Sequence, residues 1–387
     1  MTLRFVTAGE SHGPGLTAVV EGLPAGLELE PEDLDRDLAR RQLGHGRGGR
    51  MKIETDRAIV TSGVRHGRTL GSPVSLRVEN RDYANWEERM NPWPVEADVA
   101  EVHLPRPGHA DLAGVQKYGF TDVRNVLERA SARETAARVA CGALARAFLR
   151  RLGVEVHSHV LRVGAVEAPA PDRLLPDDFA EVDASPVRCL DLEASEAMVA
   201  EINRARKANE SLGGVFEVRA FGLVPGLGSY ASWDERLDAR LAGAVMSIQS
   251  MKGVGIGDGF DLAARDGSAA HDEIFWAAER GFFRETNRAG GLEGGMTTGE
   301  ALVVRGAMKP LPTLTKPLRS VDLATKEPAQ ALRERTDSCT VPAGAVVAEA
   351  MVALVVGAAY REKLGGDHAD DAVAALRAYE ERIGWVR

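Results

Sequence analysis

The chain has 387 residues, enough to bury a large core, and its 44% hydrophobic and 27% charged residues are the proportions of an ordinary soluble globular protein. A formal charge of −9 argues against wholesale nucleic-acid binding, while local clusters of arginine point to small anionic ligands. Cys141, Cys189 and Cys339 lie far apart with no C-x-x-C pair, so neither a disulfide framework nor a zinc site is indicated and a reducing cytoplasm is the natural home.

Residues 1–10 lack the basic flank and apolar core of a secretory signal, so none is expected. Residues 3–8 read as a short strand, and an extended apolar run resumes over Leu16–Val20. Between them the loop Gly9-Glu10-Ser11-His12-Gly13-Pro14-Gly15 presents Ser11 and His12 at a strand end. Pro31–Gln42 reads as a helix, with Pro31 in its first turn, Glu32 and Asp33 near its start and Arg40 and Arg41 at its end, as the helix dipole prefers. It runs into residues 43–50, where four glycines and three basic residues predict a mobile cationic loop able to approach a ligand closely.

Met51–Val60 and Ser72–Glu79 read as strands, and Asn80–Pro94, rich in Trp, Asn, Pro and charge, as a long surface loop. In Arg106-Pro107-Gly108-His109-Ala110-Asp111, Pro107 fixes one φ angle and Gly108 frees the next, a rigid way to present His109. Ser131 and Glu134 fit a capping box that opens a helix through Ala136, Val139, Ala140, Ala143, Leu144, Ala147 and Phe148 to about Leu152. Flanked by Arg129 and Arg133, that helix start offers N–H groups to an anion such as phosphate.

Val154–Gly164 alternates as a strand, residues 168–186 as a loop, and about Ser195–Asn209 as a helix, followed by Gly213-Gly214 and a strand over Val215–Gly222. This order repeats that of residues 38–53 and raises an internal duplication. Ser232 and Glu235 predict a second capping box before a helix carrying Leu237, Leu241, Val245 and Ile248. Gly253-Val254-Gly255-Ile256-Gly257 lacks the flanking strand and helix of a dinucleotide fingerprint, and no G-K-[ST] loop is present. Ala343–Ala359 is short for a membrane span and contains Glu349, so a buried core helix is expected and no membrane association. No linker separates two blocks, which favours one domain over 1–387.

Five signatures occur in one order: Gly9-Glu10-Ser11-His12-Gly13, Arg106 to Asp111, Arg129-Ala130-Ser131-Ala132-Arg133-Glu134-Thr135, Asn287-Arg288-Ala289-Gly290-Gly291 and Arg335-Thr336-Asp337. Together they resemble the chorismate synthase family from the first strand to the last long helix. The resemblance implies an α+β fold, a single-domain β-α-β sandwich with two antiparallel-rich sheets around a helical layer. It also implies a carbon–oxygen lyase of the shikimate pathway that converts 5-enolpyruvylshikimate 3-phosphate to chorismate, needing reduced FMN without net redox change. A cytoplasmic homotetramer is implied, with NADPH involved only indirectly through flavin reduction, and no metal.

By that resemblance His12 protonates the departing phosphate, His109 sits by the N1 and C2 carbonyl end of the flavin, and Asp337, with Ser11 or Ser131, manages the proton on N5. Flavin contacts carried over are Arg129, Ala130, Ser131, Gln249, Ser250, Gly294, Lys309, Pro310, Leu311, Pro312, Thr313 and Arg335. Substrate contacts are Arg41, Arg47, Arg50, Arg106 and Arg133, with Arg133 also suited to the flavin phosphate; arginine forks match carboxylate and phosphate oxygens. Ala130, Pro312 and Thr336 depart from the Ser common at those places, and Pro312 removes both a hydroxyl and an N–H. The competing expectations are a flavin reductase that turns over NAD(P)H and a binding protein for an anionic metabolite.

Overall fold

The computed structural model describes residues 2–49, 55–169, 171, 174–334 and 336–386. Two antiparallel sheets enclose a layer of helices. The first sheet contains β1 (Arg4–Ala8), β2 (Gly15–Glu21), β3 (Ala58–Ser62) and β4 (Val74–Glu79) in the order β1-β2-β4-β3. The second contains β5 (Glu155–Val163), β6 (Val166–Glu167), β7 (Gly214–Phe221), β8 (Met251–Ile256) and β9 (Leu302–Met308) in the order β8-β9-β7-β5-β6. The helices are α1 (Pro31–Gln42), α2 (Asp111–Tyr118), α3 (Arg124–Ala130), α4 (Thr135–Arg151), α5 (Phe179–Ala184), α6 (Leu192–Lys207), α7 (Leu237–Met246), α8 (Gly267–Ala270), α9 (Val341–Leu364) and α10 (Ala369–Ile383).

Side-chain alternation explains the layering. Leu16, Ala18 and Val20 on β2, with Val74, Leu76 and Val78 on β4, bury one face of the first sheet against α4. Phe216, Val218 and Ala220 on β7 bury the corresponding face of the second against α9. Helices α4 and α9 then pack on each other so closely that a Cβ added to Gly142 would come within 2.3 Å of the Ala350 Cβ. The α+β sandwich that the family resemblance implies is therefore the architecture observed. Helix α9 is long and apolar enough to cross a membrane, yet 94% of its most apolar window is buried inside the fold.

Several local expectations are corrected. Ser131 caps only the 3₁₀ turn Ala132–Glu134, accepting from the Arg133 N–H, and the Glu134 carboxylate turns instead to Thr7 and Arg138. Ser232 donates to Asp234, and α7 begins later, at Leu237, so the second capping box does not form either. Gly253–Ile256 is part of strand β8. Of the strand expected over Met51–Val60, residues 51–54 lie outside the described residues and the described strand begins at Ala58. Of the two passages compared for an internal duplication, the first ends at Ile53, outside the described residues, and the second at β7 inside the second sheet.

At the centre of the helical layer Glu349 on α9 is fully buried. It accepts from Arg40 at 2.7 Å, Arg146 at 2.7 Å, Arg188 at 3.2 Å and the Ser158 hydroxyl at 2.6 Å, so α1, α4, α9 and β5 meet at one carboxylate. Burial opposes ionisation, but the three guanidiniums hold this carboxyl well below the usual range. Glu349→Gln is expected to cost about 3–5 kcal/mol, because it leaves buried cations without their counter-charge. In the wild type this contribution is complete above the ordinary value of 4.5 and is lost as pH falls below it. Thermal unfolding from pH 7 to pH 3 should accordingly show a shallower acid limb in the variant.

Candidate active site

A cleft of about 690 Å³ opens where the loops between these elements converge, a size typical of small-molecule sites at ~300–1,000 Å³. Ser11 and His12 reach it from the β1–β2 loop, and Arg41 from the end of α1. Arg106 and His109 enter from the loop before α2, Ala130, Ser131 and Arg133 from the α3–α4 junction. Gln249, Ser250, Lys309, Leu311, Pro312, Thr313, Thr336 and Asp337 complete the wall, and Ile248, Met308, Ala343 and Val347 give it an apolar side.

The arginines are held from behind. Arg41 donates to Thr135 at 3.0 Å, to Asp56 at 3.2 Å and to the Ala132 carbonyl at 3.1 Å. Arg133 donates to the other Asp56 oxygen at 2.6 Å, to Asn80 at 2.8 Å and to the Glu79 carbonyl at 3.2 Å. Burial, and after it the repulsion of Arg133 and Arg47, push Arg41 down to about 9 despite Asp56. The end of the cleft thus carries more positive than negative charge, which an anionic ligand relieves. Arg106 is tied to Asp111 at 2.9 Å, Thr313 at 3.0 Å and Glu334 at 3.3 Å, so its fork is already occupied.

Both cleft histidines have a ring nitrogen on a buried carboxylate. His12 Nδ1 lies 2.9 Å from Glu128, and its ring stacks on Trp86 with centroids 4.0 Å apart. His109 Nδ1 pairs with Asp111, whose carboxyl is pulled far below the usual range because His109 and Arg106 outweigh the burial that opposes ionisation. The Ser131 and Ser11 hydroxyls lie 3.2 Å apart.

The loop expected to be mobile is docked in this structure. The Ser338 N–H donates to the Gly46 carbonyl and the His45 N–H to that of Pro186, both near 2.8 Å, while Gly46 at φ +90° is wedged against Ile202 and Cys339. Asp337 accepts from the Gly48 N–H and pairs with Arg47 at 2.9 Å, so its carboxylate holds this loop down.

Of the anticipated residues, Arg50 and Arg335 lie outside those described. Three others do not line the cleft. Arg129 turns outward and donates to the Thr7 and Gly9 carbonyls, Gly294 sits in the turn between Leu292 and Met296, and Pro310 is passed over between Lys309 and Leu311. Glu128, Asp111, Asp56 and Trp86 were given no role from sequence. Each acts through a partner distant in sequence or inside an unpatterned loop, and only the His-Ala-Asp spacing of His109 and Asp111 offered a local signal.

Fold and cleft together define an enzyme working on a small molecule. The chorismate synthase family model matches residues 3–360. The chain is 60% identical to the chorismate synthase of Rubrobacter xylanophilus over 387 residues, covering 99% of this chain and 98% of that one, and 58% identical to that of Desulforudis audaxviator over 383 residues, covering 98% of each. A solved crystal structure of a chorismate synthase superposes with a TM-score of 0.80 at 40% identity, covering 99% of this chain and 98% of that one. The chain belongs to the chorismate synthase family, and is a carbon–oxygen lyase acting on a phosphate.

Membership implies a flavin, and the cleft suits one. Gln249 donates its amide to Glu134 at 3.2 Å, while its buried Oε1 has no hydrogen-bond partner among the described residues and is ready for a ring N–H. The next residue, Ser250, holds φ at +69°, a conformation rare outside glycine that tends to persist at functional sites. Asp56→Asn, which removes the shared counter-charge of Arg41 and Arg133, is expected to lower the melting temperature of the protein alone. It should also tighten inorganic phosphate binding on the order of tenfold, since a unit charge ~10 Å away is worth ~1–2 kcal/mol at an effective dielectric near 20. Melting curves with and without phosphate read both effects.

Proposed function

We propose that this enzyme catalyses the anti 1,4-elimination of phosphate and the C6 hydrogen from 5-enolpyruvylshikimate 3-phosphate, giving chorismate, with reduced FMN as a cofactor that undergoes no net redox change. The observation that carries the reading is the convergence of two carboxylate-held imidazoles and a cluster of buried guanidiniums on one cleft. Reduced FMN, when bound, would supply electron density to the allylic system and recover it with the C6 hydrogen, whose proton then passes on, so that its oxidation state ends unchanged.

The chain's own residues bind, orient and move protons. Arg41, Arg47 and Arg133 supply positive charge for the phosphate and carboxylates, and Arg50 is assigned with them. Arg106, occupied by Asp111, Thr313 and Glu334, acts as a fixed charge. His12 gives the proton that the departing phosphate needs. Gln249, Ser250, Ala130, Ser131, Lys309, Leu311 and Thr313 hold the flavin, with His109 at its polar end; Pro312, lacking an N–H and a hydroxyl, offers that loop's contact only through its ring and its carbonyl. The Ser11–Ser131 pair and Asp337 handle protons on the flavin side, and Asp337 reaches that task only when it lets go of Gly48 and Arg47.

The same reading covers the chain as a whole: one domain, a homotetramer, cytoplasmic, with FMN reduced elsewhere at the expense of NADPH. Three buried free cysteines suit a reducing compartment, and the exposed Ile274, Trp276 and Phe282 on one hairpin suit self-association.

Anaerobic incubation with chemically reduced FMN and the substrate should release one phosphate per chorismate with no consumption of NADPH. His12→Ala and His109→Ala should each lower kcat by ~10²–10⁴, the usual worth of a positioned acid or base. Phosphate release that requires stoichiometric NADPH, or full rate in both variants, would contradict the proposal.

A further inference from the structure

The acid assigned to the leaving phosphate is held by a residue to which neither the motifs nor the comparisons give a role. Glu128 lies in the last turn of α3, 3% exposed, with its carboxylate facing the β1–β2 loop. One oxygen accepts from the His12 backbone N–H at 2.9 Å, and both oxygens lie within 3.0 Å of the His12 ring Nδ1. The Glu128 backbone carbonyl takes the Ser11 N–H at 3.1 Å, so this one residue fixes both the main chain and the ring of the loop.

The other faces of the arrangement are closed as well. Trp86 stacks on the imidazole, with 25° between the ring planes, and the Arg124 guanidinium lies 4.9 Å from the centre of the same indole. Arg124 also donates to Glu128 at 2.7 Å and faces Glu334 at 3.7 Å. A carboxylate anchored by an arginine can only accept, so Nδ1 must carry a proton toward it. The proton that the imidazolium can give to the cleft is then the one on Nε2, and the neutral ring left behind is the Nδ1–H form.

We infer that Glu128 is the positioning residue of the reaction, locking His12 with Nδ1–H on the carboxylate and Nε2 toward the leaving phosphate while Trp86 fixes the plane of the ring. The inference rests on the reading of His12 as the acid. Glu128 is not among the residues lining the cleft. Its carboxylate meets the cleft through the His12 ring, with Arg124 behind it.

The test uses Glu128→Gln, nearly isosteric but without the charge, together with Glu128→Asp, His12→Ala and the double variant Glu128→Gln/His12→Ala. Nitrogen-15 spectra of the ring-labelled full-length protein, recorded without ligands, report which His12 nitrogen carries the proton. Expected results are a neutral ring held in the single Nδ1–H form in the wild type, a mixture of neutral tautomers in Glu128→Gln, and in that variant a 10- to 100-fold lower kcat with KM changed less than about threefold. That loss is part of the ~10²–10⁴ that a positioned acid contributes. Glu128→Asp, which keeps the charge, should recover part of the rate, and Glu128→Gln should cost nothing further on the His12→Ala background.

An unchanged His12 signature in Glu128→Gln, or the same loss of rate with His12 already absent, overturns the inference. Should Glu128→Gln fail to fold, the Glu128→Asp spectrum and rate decide in its place: wild-type values for both, despite the shortened side chain, overturn it. Full activity in His12→Ala sinks instead the assignment of His12 as the acid, and the two failures are told apart.

Discussion

The cleft depends on one buried carboxylate standing between two guanidiniums. Asp56 takes Arg41 on one oxygen and Arg133 on the other, joining the end of α1 to the turn that begins α4. Without it the two cations would repel across a dry interior, where charge is poorly screened. With it they remain close enough to present a shared positive field, and one negative charge is too little to cancel them. A site that is short of negative charge by construction binds anions without needing open arginine forks. The hydrogen bonds that occupy Arg41, Arg106 and Arg133 are consistent with this, since they aim the charge and leave its sign intact.

The same logic recurs around the histidines. Each imidazole is backed by a carboxylate, and each carboxylate by an arginine, Arg124 behind Glu128 and Arg106 behind Asp111. Glu334 lies between these arginines, 3.7 Å from Arg124 and 3.3 Å from Arg106. Proton-bearing atoms at two sides of the cleft are thus set by one connected frame of ion pairs. That frame is rooted on α2, α3 and the segment before α9, whose apolar partners include Val115, Val123 and Leu127 in a small core of their own. The large core beneath, centred on the α4–α9 crossing and Glu349, serves as the platform.

What could be read from the sequence was whatever has a local period or a local cap. Helix α1 announces itself through Pro31 and its charged ends, β2 through its apolar run and β5 through alternation, because these signals lie within a few residues of one another. Helix α3 has no such signal, since Val123 at its start offers no side-chain cap. The capping-box pattern at Ser131 does not close because Glu134 finds better partners in Thr7 and Arg138 once the chain has folded. Candidate site residues were reachable through family motifs, but their supports were not. The His12–Glu128 contact spans 116 positions, and that of Arg133 with Asp56 spans 77. Trp86 lies in a stretch without periodicity, where nothing local predicts a stacking partner. Arg129 shows the converse, a motif residue that spends its hydrogen bonds on the end of β1.

The central claim is that a single cationic cleft receives flavin and phosphate-bearing substrate together, face to face. Equilibrium titration of FMN, followed by its fluorescence at fixed protein concentration with and without saturating 5-enolpyruvylshikimate 3-phosphate, tests it most directly. Two ligands that share contact surface and walls in one cleft should tighten each other, and linkage requires the effect to be reciprocal. The account predicts a lower Kd for FMN in the presence of the substrate. A Kd that rises, as for competitors, or that stays the same, as for ligands in separate sites, would contradict it.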